Sequence, residues 1–173
     1  MAARNRTIQS GAPRARHVSL VALPDAVVST LAGLYDVLNG ATSMGVLSEA
    51  PFDVQIVGEA AGPIGLASGV PMQVQRAVQD VDASDIVIVP SVLLREGRWV
   101  MGRYPALVAW LARMHAQGAL LCSACSGIFL IAETGLFDGH DATVHFVYAK
   151  AFASVHPKVT VHPERVLVVS GRR

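Results

Sequence analysis

The sequence is poor in charge, in cysteine and in the motifs that mark a cofactor. Charged residues make up 16% of its 173 positions, against the usual quarter of a globular domain. With 52% hydrophobic residues, that balance excludes disorder and fits a large core built by helices covering a sheet. Two cysteines in a chain of this size exclude a disulfide framework and suit a reducing, cytoplasmic compartment. Cys122 and Cys125 form a lone C-x-x-C pair with no second pair and no paired-histidine motif, which argues against zinc. Gly62-Pro63-Ile64-Gly65 lacks the spacing and the lysine of a phosphate-binding loop. No metal and no cofactor are expected.

Acid is missing from the first 17 residues, which hold Arg4, Arg6, Arg14 and Arg16. They also lack the apolar stretch of a secretory signal. Residues 1–16 therefore read as a flexible basic leader, ahead of a domain over 17–171. Setting aside these four arginines and Arg172 and Arg173 leaves eight basic residues against thirteen acids. A folded part of that sign is a poor DNA binder by itself. Met114 to Ala132 carries no charge and is long enough to cross a bilayer. His115, Gln117, Gly118, Ser123, Ser126 and Gly127 interrupt it and put a polar turn at its centre, so no membrane span is expected.

What the chain does have is an alternation of β-like and helical stretches. His17 to Leu23 reads as a first strand. A helix capped by Ser29 or Thr30 follows to about Ala41, with Leu31, Leu34, Val37 and Leu38 on its apolar face. Phe52 to Gly58 alternates as a strand. Residues 60–71, rich in glycine and proline, predict a hairpin or a loop excursion. Ile86 to Val89 is a short continuous apolar run, a buried parallel strand. Residues 94–103 read as a surface loop or short helix. Tyr104-Pro105 opens a helix through Gln117, and Ala119 to Cys122 is the next buried strand. A helix to about Gly135, an extended Ala142-Thr143-Val144 and a helix over Phe146 to Val155 come next. Val159 to Val161 and Arg165 to Val169 predict two further short strands. The order gives an α/β fold, an open and mostly parallel sheet with helices on both faces. In such sheets the site lies at the carboxyl ends of the strands.

The stretch Leu120 to Ala132 carries the chemistry. An apolar strand ends in Ser123-Ala124-Cys125-Ser126-Gly127 and passes into helical spacing. A sharp strand-to-helix turn of this kind presents one side chain at the top of a sheet, as a nucleophile elbow does. The unpaired amides and partial positive charge of a helix start favour thiolate there, so Cys125 is expected to be a reactive thiol. Ser126 adds a hydroxyl and an amide able to stabilise an oxyanion. Cys122, at the strand end, is expected in the core, which argues against a redox pair. His145, twenty residues further on, is a candidate base for a thiol. His115, His140, His156 and His162 are expected at the surface. No carboxylate is obviously paired with Cys125. Asp36 reads as a solvated helix residue, and nothing singles out Asp25.

From Ser123 through Ile128-Phe129-Leu130-Ile131-Ala132 to Asp138-Gly139, and again at Ala142-Thr143-Val144-His145-Phe146, the chain resembles the ThiJ/PfpI family of the class I glutamine-amidotransferase-like superfamily. Within it, the likeness is to the sensor domain of AraC-type transcriptional regulators. It extends over roughly residues 17–171, through Leu31-Ala32-Gly33, Tyr148 to Phe152 and Pro163-Glu164-Arg165. The resemblance implies a flavodoxin-like sheet, Cys125 as the elbow cysteine with His145 near it, a small-molecule ligand and a homodimer. Thr30 and Ser91, with Ser126, are the positions it implies for ligand or oxyanion contacts. The chain departs from the family at three places. Thr30 stands where family enzymes such as isonitrile hydratases carry an acid, and a hydroxyl cannot replace a proton-transferring carboxylate near neutral pH. Pro90-Ser91-Val92 replaces a frequent Pro-Gly-Gly. The sequence stops at Arg173, before the final helix and the helix-turn-helix units of such regulators. The expectation is thus a ligand-sensing domain that reaches DNA only through a part not in this chain. The alternative is a cysteine-dependent hydrolase or lyase of the same superfamily.

Overall fold

The computed structural model describes residues 14–173; the expected leader falls on residues 1–13, outside them, except for its last three positions. Arg14 pairs with the Asp85 carboxylate at 2.9 Å, and Arg16 is already the first residue of a strand.

Strand β1 (Arg16–Val21) lies at the centre of a five-stranded sheet. Its neighbours are β2 (Phe52–Gly58) and β6 (Ile86–Val89). The two-residue β5 (Arg76–Ala77) flanks β2, and β7 (Leu120–Ser123) flanks β6. All four pairings are parallel. Each connection must therefore cross over a face of the sheet. Helix α1 (Val28–Ser43) makes the first crossover, and α2 (Pro105–Ala116) the one between β6 and β7. The glycine- and proline-rich stretch forms an antiparallel hairpin, β3 (Gly62–Gly65) with β4 (Pro71–Val74).

Side-chain alternation along the strands separates two cores. Val18, Leu20 and Val54 face α1 and meet Leu34, Tyr35 and Leu38. Val87, Val89 and Leu121 face the other way, toward Leu107, Leu111 and Met114 of α2 and Ile128 to Ile131 of α3 (Ile128–Ala132). Ile86 and Val89 bound a strand that is parallel as expected, yet it is fully buried on one side only. Ile86, Ile88, Leu120 and Cys122 are half-buried. The α1 side of the sheet therefore opens toward the β7 edge.

The chain closes with β8 (Asp141–Ala142), α4 (Phe146–Val155) and β9 (Thr160–Val161), β8 and β9 forming a small parallel pair. The strand expected over Arg165 to Val169 is absent; this segment crosses the β7 edge as irregular chain, with the Leu121 amide donating to the Arg172 carbonyl at 3.0 Å. The α1 cap also differs. Val27 is the cap residue and offers no side-chain acceptor, and Ser29 and Thr30 lie inside the first turn.

Candidate functional site

Strand order reverses between β1 and β6. Ligands of open parallel sheets bind at the carboxyl ends of strands beside such a switch point. Three strand ends meet there. The segment after β1 pairs with the segment after β6 through an isolated Ala26–Val92 bridge, and the Val27 amide donates to the Ser91 carbonyl at 2.8 Å. The turn after β7 completes the group.

That turn is sharp, and its backbone is unusual at the cysteine. Cys125 sits at φ 49°, one of two non-glycine residues with positive φ among the described residues. Its side chain is exposed while Ser126 and Gly127 behind it are buried. A left-handed residue between strand and helix is what turns the side chain outward. Gly127 allows the turn to close. A Cβ at that position would lie 2.4 Å from the Val89 carbonyl oxygen and 2.5 Å from that of Pro90. Residues 125–127 form a 3-10 turn that runs into α3.

The Ser126 hydroxyl is occupied in holding the scaffold. It accepts from the Val92 amide at 2.9 Å and donates to the Val92 carbonyl at 2.7 Å. The Ser91 hydroxyl donates to the Ala124 carbonyl at 3.3 Å. Both serines thus tie the end of β6 to the elbow. Cys122 is half-buried, and burial pushes its thiol up from the ordinary value. Both cysteines are free thiols.

One cavity of about 490 Å³ opens beside the elbow, lined by Cys125 and His145 together. Its apolar floor includes Leu121, Ile128 and Phe137. His145 caps α4, its Nδ1 accepting from the Val147 amide at 3.3 Å. A neutral ring held so carries its proton on Nε2. The far wall is the segment Arg165–Val169. Thr143 fixes that wall to β8, its hydroxyl lying 2.9 Å from the His162 carbonyl oxygen and 2.7 Å from that of Arg165. Thr30, Ser91 and Ser126 are not among the lining residues. The fold therefore brings Cys125 and His145 to a common space and leaves the other three candidates outside it.

Three groups escaped the sequence reading. Asp25 is buried, its carboxylate bound by the Tyr104 hydroxyl at 2.8 Å, by Arg103, and by Arg95 at 3.5 Å. Desolvation and the adjacent Asp25 push the Tyr104 phenol well above its ordinary range. Glu133 accepts from the Trp99 indole at 2.5 Å and from the Gly102 amide at 2.8 Å. Together they strap residues 94–103 down, so that Leu94 and Trp99 enter the core where a plain surface loop or short helix is expected. His156, expected outside, is 7% exposed and stacks against Phe152 with ring centroids 5.0 Å apart. A lone polar residue beside a proline gives no sign of such burial. Among the described residues, no helix is long and apolar enough to cross a membrane. No group of three or more His, Cys, Asp or Glu side chains among them is placed to hold a metal.

Known proteins share this fold. A family model described as DJ-1/PfpI family matches residues 27–171. A stretch of 103 residues is 28% identical to the HTH-type transcriptional regulator CdhR of Pseudomonas aeruginosa, covering 60% of this chain and 30% of the regulator. The chain therefore spans less than a third of that relative's length. An AraC family transcriptional regulator from Pseudomonas putida superposes with a TM-score of 0.68 at 17% identity, over 86% of this chain and 76% of that one. DJ-1beta of Drosophila melanogaster superposes with a TM-score of 0.74 at 18% identity, over 92% and 80%. The flavodoxin-like, mostly parallel sheet is common to these folds.

Proposed function

Because the chain belongs to the DJ-1/PfpI family, we propose that residues 17–171 form a regulator-like domain that binds a small molecule beside the Cys125 elbow and acts as a homodimer in the cytoplasm. The observation that carries this reading is the cavity of about 490 Å³ shared by Cys125 and His145, a size within the usual range of small-molecule sites. The likeness to a transcriptional regulator supports it. On this reading DNA contact belongs to a separate helix-turn-helix part and not to residues 17–171. Ser91 and Ser126 act on the ligand through the scaffold, by holding the β6 end against the elbow.

A second reading keeps the elbow catalytic. The outward-turned Cys125 and a histidine lining the same cavity are two of the three parts of a thiol-based hydrolase or lyase. The missing part is a carboxylate, since the first turn of α1 holds no acidic residue.

One experiment separates the two. A panel of small molecules, with isonitriles and small aldehydes included, is screened by thermal shift and by turnover against the wild type and Cys125→Ser. A sensor gives a compound that raises the melting temperature of both proteins and is recovered unchanged. Turnover by the wild type that Cys125→Ser abolishes overturns the sensor reading. Light scattering is expected to give the mass of two chains.

A further inference from the structure

The chemistry of the cavity wall narrows the ligand, and the assignment rests on the cavity being a ligand site. Most of the lining is aliphatic or aromatic, and none of the lining residues is an acid. Its charged side chains are Arg165 and Arg173, with His145 as a third basic group. Its hydroxyls are those of Thr143 and Ser123, and that of Thr143 already lies within hydrogen-bond distance of two carbonyl oxygens.

The two guanidinium groups keep capacity to spare. Arg173 donates from Nη1 to the Ser170 carbonyl at 3.2 Å, and its buried Nε has no partner among the described residues. Arg165 has its Nε 3.7 Å from Glu164 in an exposed pair, a contact that adds little in water. An arginine fork matches a planar carboxylate with two parallel hydrogen bonds. A phosphate would bring more charge against a wall that is mostly apolar. A cationic ligand would meet two positive side chains and no acidic side chain.

Beside these arginines, Val166, Leu167 and Val169 are 100%, 76% and 70% exposed, and all three line the cavity. An extended apolar body laid along them removes from water a surface that the protein leaves open.

We infer that the cavity takes an amphipathic monocarboxylate, its aliphatic chain against residues 166–169 and its carboxylate between Arg165 and Arg173. Titration calorimetry with octanoate, 1-octanol and octyltrimethylammonium tests this on the whole chain. Octanoate is expected to bind about tenfold more tightly than the alcohol, and the cation not at all. Bound octanoate should also slow alkylation of Cys125 by iodoacetamide. In the Arg165→Gln, Arg173→Gln double variant, octanoate affinity is expected to fall to that of octanol, while octanol binding stays unchanged. A wild type that binds octanol as tightly as octanoate overturns the inference but leaves a ligand cavity. A double variant that keeps the preference overturns it as well. Binding of none of the three overturns it too; the wider screen then decides whether a ligand of other chemistry occupies the cavity or the ligand-site reading itself fails.

Discussion

At Cys125 the backbone adopts φ 49°, a left-handed conformation that costs an ordinary L-residue about 1–2 kcal/mol. Glycine adopts it freely, at the expense of more freedom to lose on folding. Replacing Cys125 with glycine is therefore expected to leave stability unchanged or raise it by up to about 1 kcal/mol. Cys125→Val, branched at Cβ, should lose about 1–2 kcal/mol. Urea midpoints of the three proteins measure both. A glycine variant clearly less stable than the wild type would mean that the thiol stabilises the fold by contacts that outweigh the strain. The cysteine, its turn and the glycine behind it were all legible in the sequence, because a strand, small residues and a helix in succession leave few other conformations. The work of Ser126 was not. Its hydroxyl meets Val92, thirty-four positions away, and no local pattern announces a partner at that distance.

Among the elements, the strands and helices with regular apolar spacing lie where periodicity puts them, to within a few residues. The departures are segments whose conformation is set from outside. Residues 94–103 contain little periodic signal, and their course is fixed by Asp25 and Glu133 from two other parts of the chain. The segment 165–169 has the β-branched composition of a strand but lies over the β7 edge without a ladder. The Glu133 carboxylate holds both Trp99 and Gly102, so Glu133→Ala is expected to free the strap before it unfolds the domain. Arg95 and Arg98 are well exposed and then become preferred trypsin sites. Under native conditions the variant should be nicked there many-fold faster than the wild type, with peptides identified by mass spectrometry. Equal rates would mean that Asp25 alone suffices to hold the loop.

For the whole molecule, the parallel α/β architecture followed from element order alone, while the cavity did not. Its walls come from the elbow and from a segment some forty residues later, and only the closed fold juxtaposes them. Stability carries a further consequence of long-range packing at His156. Burial between Phe129 and Phe152 lowers its pKa from the ordinary 6.5, with Glu133 and Asp138 pulling less strongly the other way. The folded state thus keeps the ring neutral to lower pH than the unfolded chain, which protonates it near 6.5. Between those two values the unfolded state binds more protons, so stability rises with pH. The contribution is full above the ordinary histidine value and is lost as pH falls from there through the lower folded one. Urea midpoints measured from about pH 7.5 down to about pH 5 should fall, and His156→Leu should flatten that slope. An unchanged slope would assign the acid loss to other groups.

The left-handed cysteine also has a meaning in genetic terms. Cysteine and glycine codons differ by a single first-position base. A gene under no demand for the thiol has a one-step mutation available that relieves the strained backbone at no cost to the turn. Drift at this codon should then run toward glycine wherever the sulfur has fallen out of use. The residue found at this turn across natural variants of the gene is in that sense a record of whether the thiol is still working.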